Sequence, residues 1–582
     1  MRKILLFLLF GVLVGANAIA ADECGPLPTK YQMRLQNMEM YAFIHYSLNT
    51  YTDQEWGYGN EDPQLFNPLN LDVGQWVRTC KAAGMKGIIF TAKHHCGFCM
   101  WPSAYTDYSV KSSPWKNGQG DVVRELADAC RKEGLRFAVY LSPWDRNHPE
   151  YGRPAYVEYF RNQLRELLTN YGDIFEVWFD GANGGDGWYG GARGQRKIDR
   201  LTYYGWDETY DMIRQLQPHC VIWNDGANRR GDLRWVGTEA GFIGETNWSL
   251  MRSDKDPQWE DLHYGMEDGD LWCPGETNTS IRPGWFYHQR EDTQVKSVAK
   301  LMDTYYKSVG RNSTLLLNFP VMPNGLISPI DSLYGVEFRK AIDRLYDSKI
   351  DARLHHDGLT FTLDFGQPTL CNRFMAEEDI TKGQRVRAFR LETLVDGQWV
   401  ALRDQLVDAK RGTGLTTIGR KRIVCFPEVR ATKLRMTITD SKCEPHIKNV
   451  CAFACPDEKV KSEKSEELKK STDLQVSLKY ASPRSVLVNL NKSSRVSAVN
   501  YMPPGRQDGQ DGTITHYVLW AQSNDGKWSR LASREFSNIK NNPIQQTIRF
   551  QPIETHCLRL DAEEMLGGDT IRWQKIEVVT EK

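Results

Sequence analysis

The chain has 582 residues, 40% of them hydrophobic, with 74 Lys and Arg against 74 Asp and Glu and a formal net charge of zero. That length predicts about two to four domains with well-buried cores, and the charge balance excludes a global field that would draw nucleic acid or an anionic membrane. The unusual feature is 18 Trp, each a flat apolar face with one N–H donor, which suits a sugar ring as well as a protein core.

Met1-Arg2-Lys3 precedes a short apolar run from Ile4 to Gly15, and small residues follow at Ala16-Asn17-Ala18 and Ala18-Ile19-Ala20. This pattern predicts a signal peptide over 1–20 and an exported protein, periplasmic or secreted. The run is too short to span a bilayer and no second stretch of that length follows, so no membrane insertion is expected. Ala-Asp-Glu before Cys24 is a poor lipoprotein signal. Thirteen cysteines at irregular spacings do not make a disulfide framework. Cys80 and Cys130 fall in helical patterns as small buried groups, and the cluster Cys443, Cys451 and Cys455 is where a bridge is expected.

From about residue 40 to 320, short apolar runs alternate with amphipathic patterns. Strands are predicted at 41–46, 86–92, 135–141, 174–179 and 220–223, and helices at 70–83, 121–133, 156–170 and 203–216. Repeated strand–helix units imply a parallel sheet, and this many imply an α/β barrel of the (β/α)8 TIM type with an irregular second half. The catalytic barrel is assigned to 21–347, ending with a helix near Tyr346. Short alternating segments at 359–363, 388–393 and 433–438 predict a β-sandwich over 348–456. Residues 457–473 are dense in Lys, Glu and Ser and read as a charged linker. Strand patterns at 496–501, 514–523, 546–550 and 557–560 predict a second β-sandwich over 474–582.

In a barrel of this type the reactive groups stand at the C-terminal ends of the strands. Reading those ends in order gives His45, then His94 and His95, then Trp144 and Asp145, then Asp180. Asp180 follows Val-Trp-Phe and precedes Gly181, so the strand stops abruptly at a carboxylate. An Asp-Gly pair alone would read as a cap or turn; polar groups at the other strand ends weigh against that here. Retaining glycoside hydrolysis needs two carboxyl groups, one as nucleophile and one as acid/base with a raised pKa. Glu239, in Trp235-Val-Gly-Thr-Glu239-Ala-Gly, is the leading second carboxyl, with Glu245 and Glu276 as rivals that spacing cannot separate.

Several motifs resemble those of glycoside hydrolase family 29, the α-L-fucosidases. They are Ala92-Lys-His-His-Cys-Gly-Phe-Cys-Met-Trp-Pro-Ser103, Tyr140-Leu-Ser-Pro-Trp-Asp-Arg146, Glu176-Val-Trp-Phe-Asp-Gly-Ala182, Arg234-Trp-Val-Gly-Thr-Glu-Ala-Gly241, Ser280-Ile-Arg-Pro-Gly-Trp-Phe-Tyr-His288 and Arg311-Asn-Ser-Thr-Leu-Leu-Leu-Asn318. They run in order from about residue 30 to 345, and the chain looks closest to the branch that prefers α1,3- and α1,4-linked fucose on Lewis-type glycans. The resemblance implies Asp180 as nucleophile and Glu239 as acid/base. It implies His45, His94 and His95 as partners of the fucose hydroxyls, with Glu55 and Trp56 also reaching the sugar. Arg282 and Trp285 fall at the pocket rim, where the indole can wall the C5 methyl. It implies fucosylated glycans as partners and no cofactor. The sequence departs from the family pattern at Cys96, where Asp is usual after the paired histidines, and at 226–232.

Three rival readings are open. A zinc site at His94, His95, Cys96 and Cys99 lacks a plausible ligand geometry, and no metal is expected. A non-catalytic glycan binder would need no pair like Asp180 and Glu239. A related exo-glycosidase could act on another sugar. The terminal segment, with Tyr501–Gly512 and Ser523–Trp528, resembles discoidin-like modules; it reads either as a sugar-holding module or as a buttress packed on the barrel.

Overall fold

The computed structural model describes residues 23–224, 231–402, 414–456 and 474–580. The predicted signal peptide and the charged linker lie outside the described residues, and of 226–232 only Gly231 and Asp232 are described. Eight parallel strands form the first body: β1 Met40–Ile44, β2 Gly87–Lys93, β3 Arg136–Leu141, β4 Ile174–Phe179, β5 Val221–Asn224, β6 Arg234–Trp235, β7 Gly275–Ser280 and β8 Thr314–Asn318. Their order is β5-β4-β3-β2-β1-β8-β7-β6, and a single parallel bridge, Trp223 to Leu233, joins the two ends. The barrel expectation therefore holds.

Helices α1 Val73–Ala82, α2 Val122–Glu133, α3 Pro154–Asn170 and α4 Trp206–Leu216 follow the first four strands. Asp72 and Asp121 start α1 and α2 by accepting a backbone N–H one turn in, and Gly134 ends α2 in the left-handed conformation. The second half is poorer in helix, as expected. Between β6 and β7 there is only the short helix Trp259–Tyr264, and then α5 Val298–Lys307 and α6 Pro329–Asp347 complete the ring. Among the described residues no helix is long and apolar enough to cross a membrane.

Strand alternation divides the barrel residues into two cores. Ala42, Ile44, Ile88, Phe90, Val139 and Val177 face the helices; Tyr41, Phe43, Ile89, Tyr140, Trp178, Trp223 and Leu316 face inwards. A register shift between Thr91 and Lys93 changes the parity of β2 near its end. Lys93 consequently turns outward to a buried ion pair with Asp145 (3.1 Å), and His94 turns in towards the mouth.

Two antiparallel sheet domains follow, each with its own core. Their long strands, Thr360–Glu378 and Arg422–Ser441 in the first, Ser485–Met502 and Gln546–Leu566 in the second, are broken by bulges that let one strand serve both layers. The expected bridge within Cys443, Cys451 and Cys455 is corrected: Cys443 pairs with Cys24, and Cys451 and Cys455 are buried thiols outside that disulfide. Cys24 lies beside the central sandwich because its N–H donates to Lys382 O (2.9 Å).

At the barrel floor, Glu176 and Glu276 meet inside the sheet. Glu276 accepts from Tyr41 Oη and from Trp178 Nε1 (2.7 Å). Neither Glu176 oxygen meets a donor among the described residues, so a bond between the two carboxyls requires a shared proton. Burial raises both, Glu276 to about 6 and Glu176 well above its usual value, where the Glu276 charge adds to the effect. A raised folded-state pKa stabilises fully below the unfolded value and loses that contribution as pH rises through the folded value. Glu176→Gln, an amide that donates to Glu276 at any pH, is therefore expected to gain stability over the parent between about pH 5 and about pH 8. The gain should be at least about 1 kcal/mol, since a tenfold change in proton affinity is worth about 1.4 kcal/mol. Thermal unfolding at both pH values measures it; a constant gap would show that no proton is shared.

Candidate active site

Above that floor four rings stack in one layer across adjacent strands. Trp223 lies on Trp178 at 3.5 Å, Trp178 on Tyr140 at 5.6 Å, and Tyr140 on His94 at 5.6 Å. They floor a cavity of about 440 Å³ that is also lined by His45, Trp56, His95, Asp180, Trp235, Glu239, Asn278 and Trp285. Period-two alternation makes this arrangement unavoidable: Glu176, Trp178 and Asp180 share one side of β4 and its continuation, as do Tyr41, Phe43 and His45 on β1. Of the residues expected to form a site, Asp180, Glu239, the three histidines, Trp56 and Trp285 come together here.

Asp180 accepts from Tyr140 Oη at 3.1 Å. The turn after it needs glycine, because Gly181 has φ +79° and a Cβ there would lie 2.5 Å from the His95 ring. Glu239 accepts from Trp285 Nε1 at 2.9 Å and from Asn541 Nδ2 at 3.1 Å. Burial first and the Asp180 charge second raise its pKa to about 7, against the pull of Trp285, Asn538 and Arg506. The carboxyl is thus poised to hold a proton near neutrality.

The histidines are neutral. Burial lowers His45 to about 4, His95 to about 3 and His94 well below the usual value. Their tautomers follow from their partners. Asn318 gives its amide N–H groups to Ser280 Oγ and Trp285 O, so its Oδ1 accepts from His45 Nδ1 (2.8 Å). Ser142 Oγ donates to a backbone carbonyl, so it accepts from His95 Nδ1 (2.7 Å). In both rings Nε2 is left as an acceptor, which in His95 lies 3.7 Å from Asp180 Oδ2. Three further polar atoms of the lining, His94 Nδ1, Trp223 Nε1 and Asn278 Oδ1, are buried with no partner among the described residues. Unpaired buried groups are costly, and a polyhydroxylated ring satisfies donors and acceptors together while stacking on the aromatic wall.

Other expected residues stand elsewhere. Arg282 is not at the rim: its guanidinium is fully buried in ion pairs with Asp331 (2.8 Å) and Asp292 (2.8 Å). Glu55 does not line the cavity; it accepts from Trp285 N (2.9 Å), Phe286 N (3.1 Å) and His288 Nε2 (2.8 Å) and so fixes the wall carrying Trp285. Asp145 is tied to Lys93. Of the rivals to Glu239, Glu276 lies in the floor and Glu245 is held by Arg311 (2.7 Å) and Arg422 (2.5 Å). The Cys96 thiol is buried 3.9 Å from Ser47 Oγ, is pushed up to about 12, and does not line the cavity. Sequence reasoning missed Tyr140, Trp178 and Trp223, which parity from Asp180 could have found. It also missed Asn538, Lys540 and Asn541 of the last sandwich, which carry no local signal.

A family profile described as Alpha-L-fucosidase matches residues 10–334. The chain is 37% identical over 465 residues to Alpha-L-fucosidase 1 of Arabidopsis thaliana, covering 72% of this chain and 86% of that one. Among solved structures it is similar to a glycoside hydrolase 29 family member from an unknown rumen bacterium (63% identity, TM-score 0.76, 96% of this chain and 100% of that one). It is also similar to a Ruminococcus gnavus GH29 fucosidase in complex with fucose (30% identity, TM-score 0.65, 76% and 97%).

Gly181→Ala tests the packing between the strand ends that carry His95 and Asp180. The added Cβ displaces His95 or Asp180, and kcat/KM is expected to fall about 100-fold, the scale of a misplacement near 1 Å, while the protein stays folded. Unaltered activity would show that the His95 ring is not fixed against this turn.

Proposed function

Because this chain belongs to the α-L-fucosidases of glycoside hydrolase family 29, we propose that it releases terminal α1,3- and α1,4-linked L-fucose by double displacement. In this reading Asp180 attacks the anomeric carbon while Glu239 protonates the leaving oxygen. Glu239 then removes a proton from water, which hydrolyses the fucosyl ester of Asp180. The observation that carries the reading is the pairing of two carboxyls in one aromatic cavity, one bonded to Tyr140 and the other raised to about 7. His45, His94, His95 and Asn278 take the sugar hydroxyls, and Trp285 and Trp56 wall its apolar edge. The linkage preference is supported by the motif resemblance; a second cavity of about 800 Å³ that continues from the first past Trp56 gives room for a leaving glycan.

Export to an oxidising compartment is part of the proposal. The N-terminal charge and apolar run support it, and so does the Cys24–Cys443 disulfide, a bond that persists outside the reducing cytosol.

Asp180→Asn should leave a folded protein with turnover reduced by about 10⁴-fold or more, the scale seen when a catalytic unit loses a member. Glu239→Ala should cripple hydrolysis of an oligosaccharide far more than of an activated aryl fucoside. Azide should restore the latter and give α-fucosyl azide. If Glu239→Ala is not rescued, the acid/base is another group. Since Glu239 must be protonated in the free enzyme, kcat/KM for oligosaccharides should fall as pH rises through about 7. A panel of α1,2-, α1,3- and α1,4-fucosylated oligosaccharides tests linkage, and a faster rate on the α1,2 substrate would refute that part.

A further inference from the structure

We infer that the C-terminal sandwich is part of the active site, with Asn541 as a positioning residue for Glu239 and loop 537–542 as the wall on the leaving-glycan side. The inference rests on the reading of Glu239 as the acid/base.

The contact runs through both backbone and side chain. Asn541 Nδ2 donates to Glu239 Oε1 (3.1 Å), and Glu239 N–H donates to Asn541 O (3.4 Å). Asn538 also reaches the carboxylate by a side-chain hydrogen bond. Arg506, in the Tyr501–Gly512 loop, bridges the two bodies by donating to Asn541 O (3.1 Å) and to Gly237 O. The carboxylate therefore accepts from Trp285 on the barrel side and from the asparagines on the sandwich side.

The loop is built to hold this position. Asn541 N and Asn542 N both donate to Asn538 O, at 3.2 and 2.9 Å, and Asn538 adopts a left-handed conformation with φ 51°. Phe536 and Ile539 are buried in the sandwich core. A polar seam at the start of the loop fixes it to the barrel: Arg534 pairs with Asp53 (2.5 Å), Glu535 Oε1 accepts from Glu55 N (2.7 Å) and Ser537 Oγ accepts from Arg290 (3.0 Å). Glu55 is the residue that holds Trp285, so the seam, through the Glu55 backbone N–H, and the barrel-side donor, through the Glu55 carboxylate, meet at one residue.

The charged groups facing Glu239 act in opposite directions. Burial and Asp180 favour its neutral form; Trp285, Asn538 and Arg506 favour the carboxylate, and Lys540 lines the same cavity. Donors from the sandwich offset part of the burial effect, which leaves an acid that releases its proton near neutral pH. The same loop faces the departing group, since Trp56, Asp186, Asn538, Lys540 and Asn541 line both the inner cavity and the 800 Å³ cleft between barrel and sandwich.

Asn541→Ala and Asn541→Asp in the full-length protein test the inference. Removing a donor to the charged form raises the pKa of Glu239. The basic limb of kcat/KM should therefore move to higher pH in Asn541→Ala and further in Asn541→Asp. Oligosaccharide turnover should fall roughly ten- to a hundredfold, the value of a hydrogen bond to a charged group, with a smaller loss on an aryl fucoside. In the Glu239→Ala background, measured on the azide-rescued aryl fucoside, Asn541→Ala should have no further effect. A limb that does not move in a folded variant overturns the inference even if activity drops, and so does an equal loss in both backgrounds. If Glu239→Ala keeps full oligosaccharide turnover, the acid/base reading itself fails and this inference falls with it.

Discussion

A closed parallel sheet gives every second side chain of its strands one place to go, the barrel interior. That constraint generates the site. Once Glu176 and Trp178 are inside, Asp180 stands at the mouth; once Tyr41 and Phe43 are inside, His45 stands beside it. The layers cannot be exchanged one at a time, because a one-residue slip would reverse every strand position. The aromatic layer from Trp223 to His94 is both the top of the core and the bottom of the cavity, so packing and recognition share the same atoms.

The electrostatic design separates neutral groups from charged ones by depth and partner. The three histidines that line the cavity stay uncharged because burial is the largest influence on each of them. His288, equally buried, does the opposite: Asp53 and Glu55 flank it at 2.7 and 2.8 Å and raise it to about 9, so it is an imidazolium at neutral pH. This cation keeps Glu55 ionised, and ionised Glu55 grips the backbone of Trp285 and Phe286. A fixed charge cluster outside the cavity thereby sets the orientation of the indole that touches Glu239.

The barrel was legible where strands are apolar and followed by amphipathic helices, that is from β1 to β5. It was illegible at β7, whose Gly-Glu-Thr-Asn-Thr-Ser carries no hydrophobic signal although all six residues are buried. There polar side chains pair inside the sheet, as Thr277 does with Ser313 at 2.8 Å. Site residues at strand ends could be read from position, which is why Asp180 and the histidines could be placed. Arg282 could not, because a motif fixes where a residue falls in the chain and not which way its side chain turns. Asn541 lies 302 positions from Glu239, and nothing in its neighbourhood marks it.

The disulfide is one choice among many that the sequence offers. Cys24 and Cys443 are separated by 419 positions, and eleven other thiols lie along the chain, Cys451 and Cys455 within twelve residues of the correct partner. In the finished protein ten of these eleven are buried, out of reach of an oxidant. During synthesis they are not, and Cys24 emerges long before Cys443. Closing the barrel over Cys80, Cys96, Cys99, Cys130, Cys220 and Cys273 removes six competitors for Cys24. Burial in the folded chain thus narrows the pairings that thiol chemistry alone would leave open.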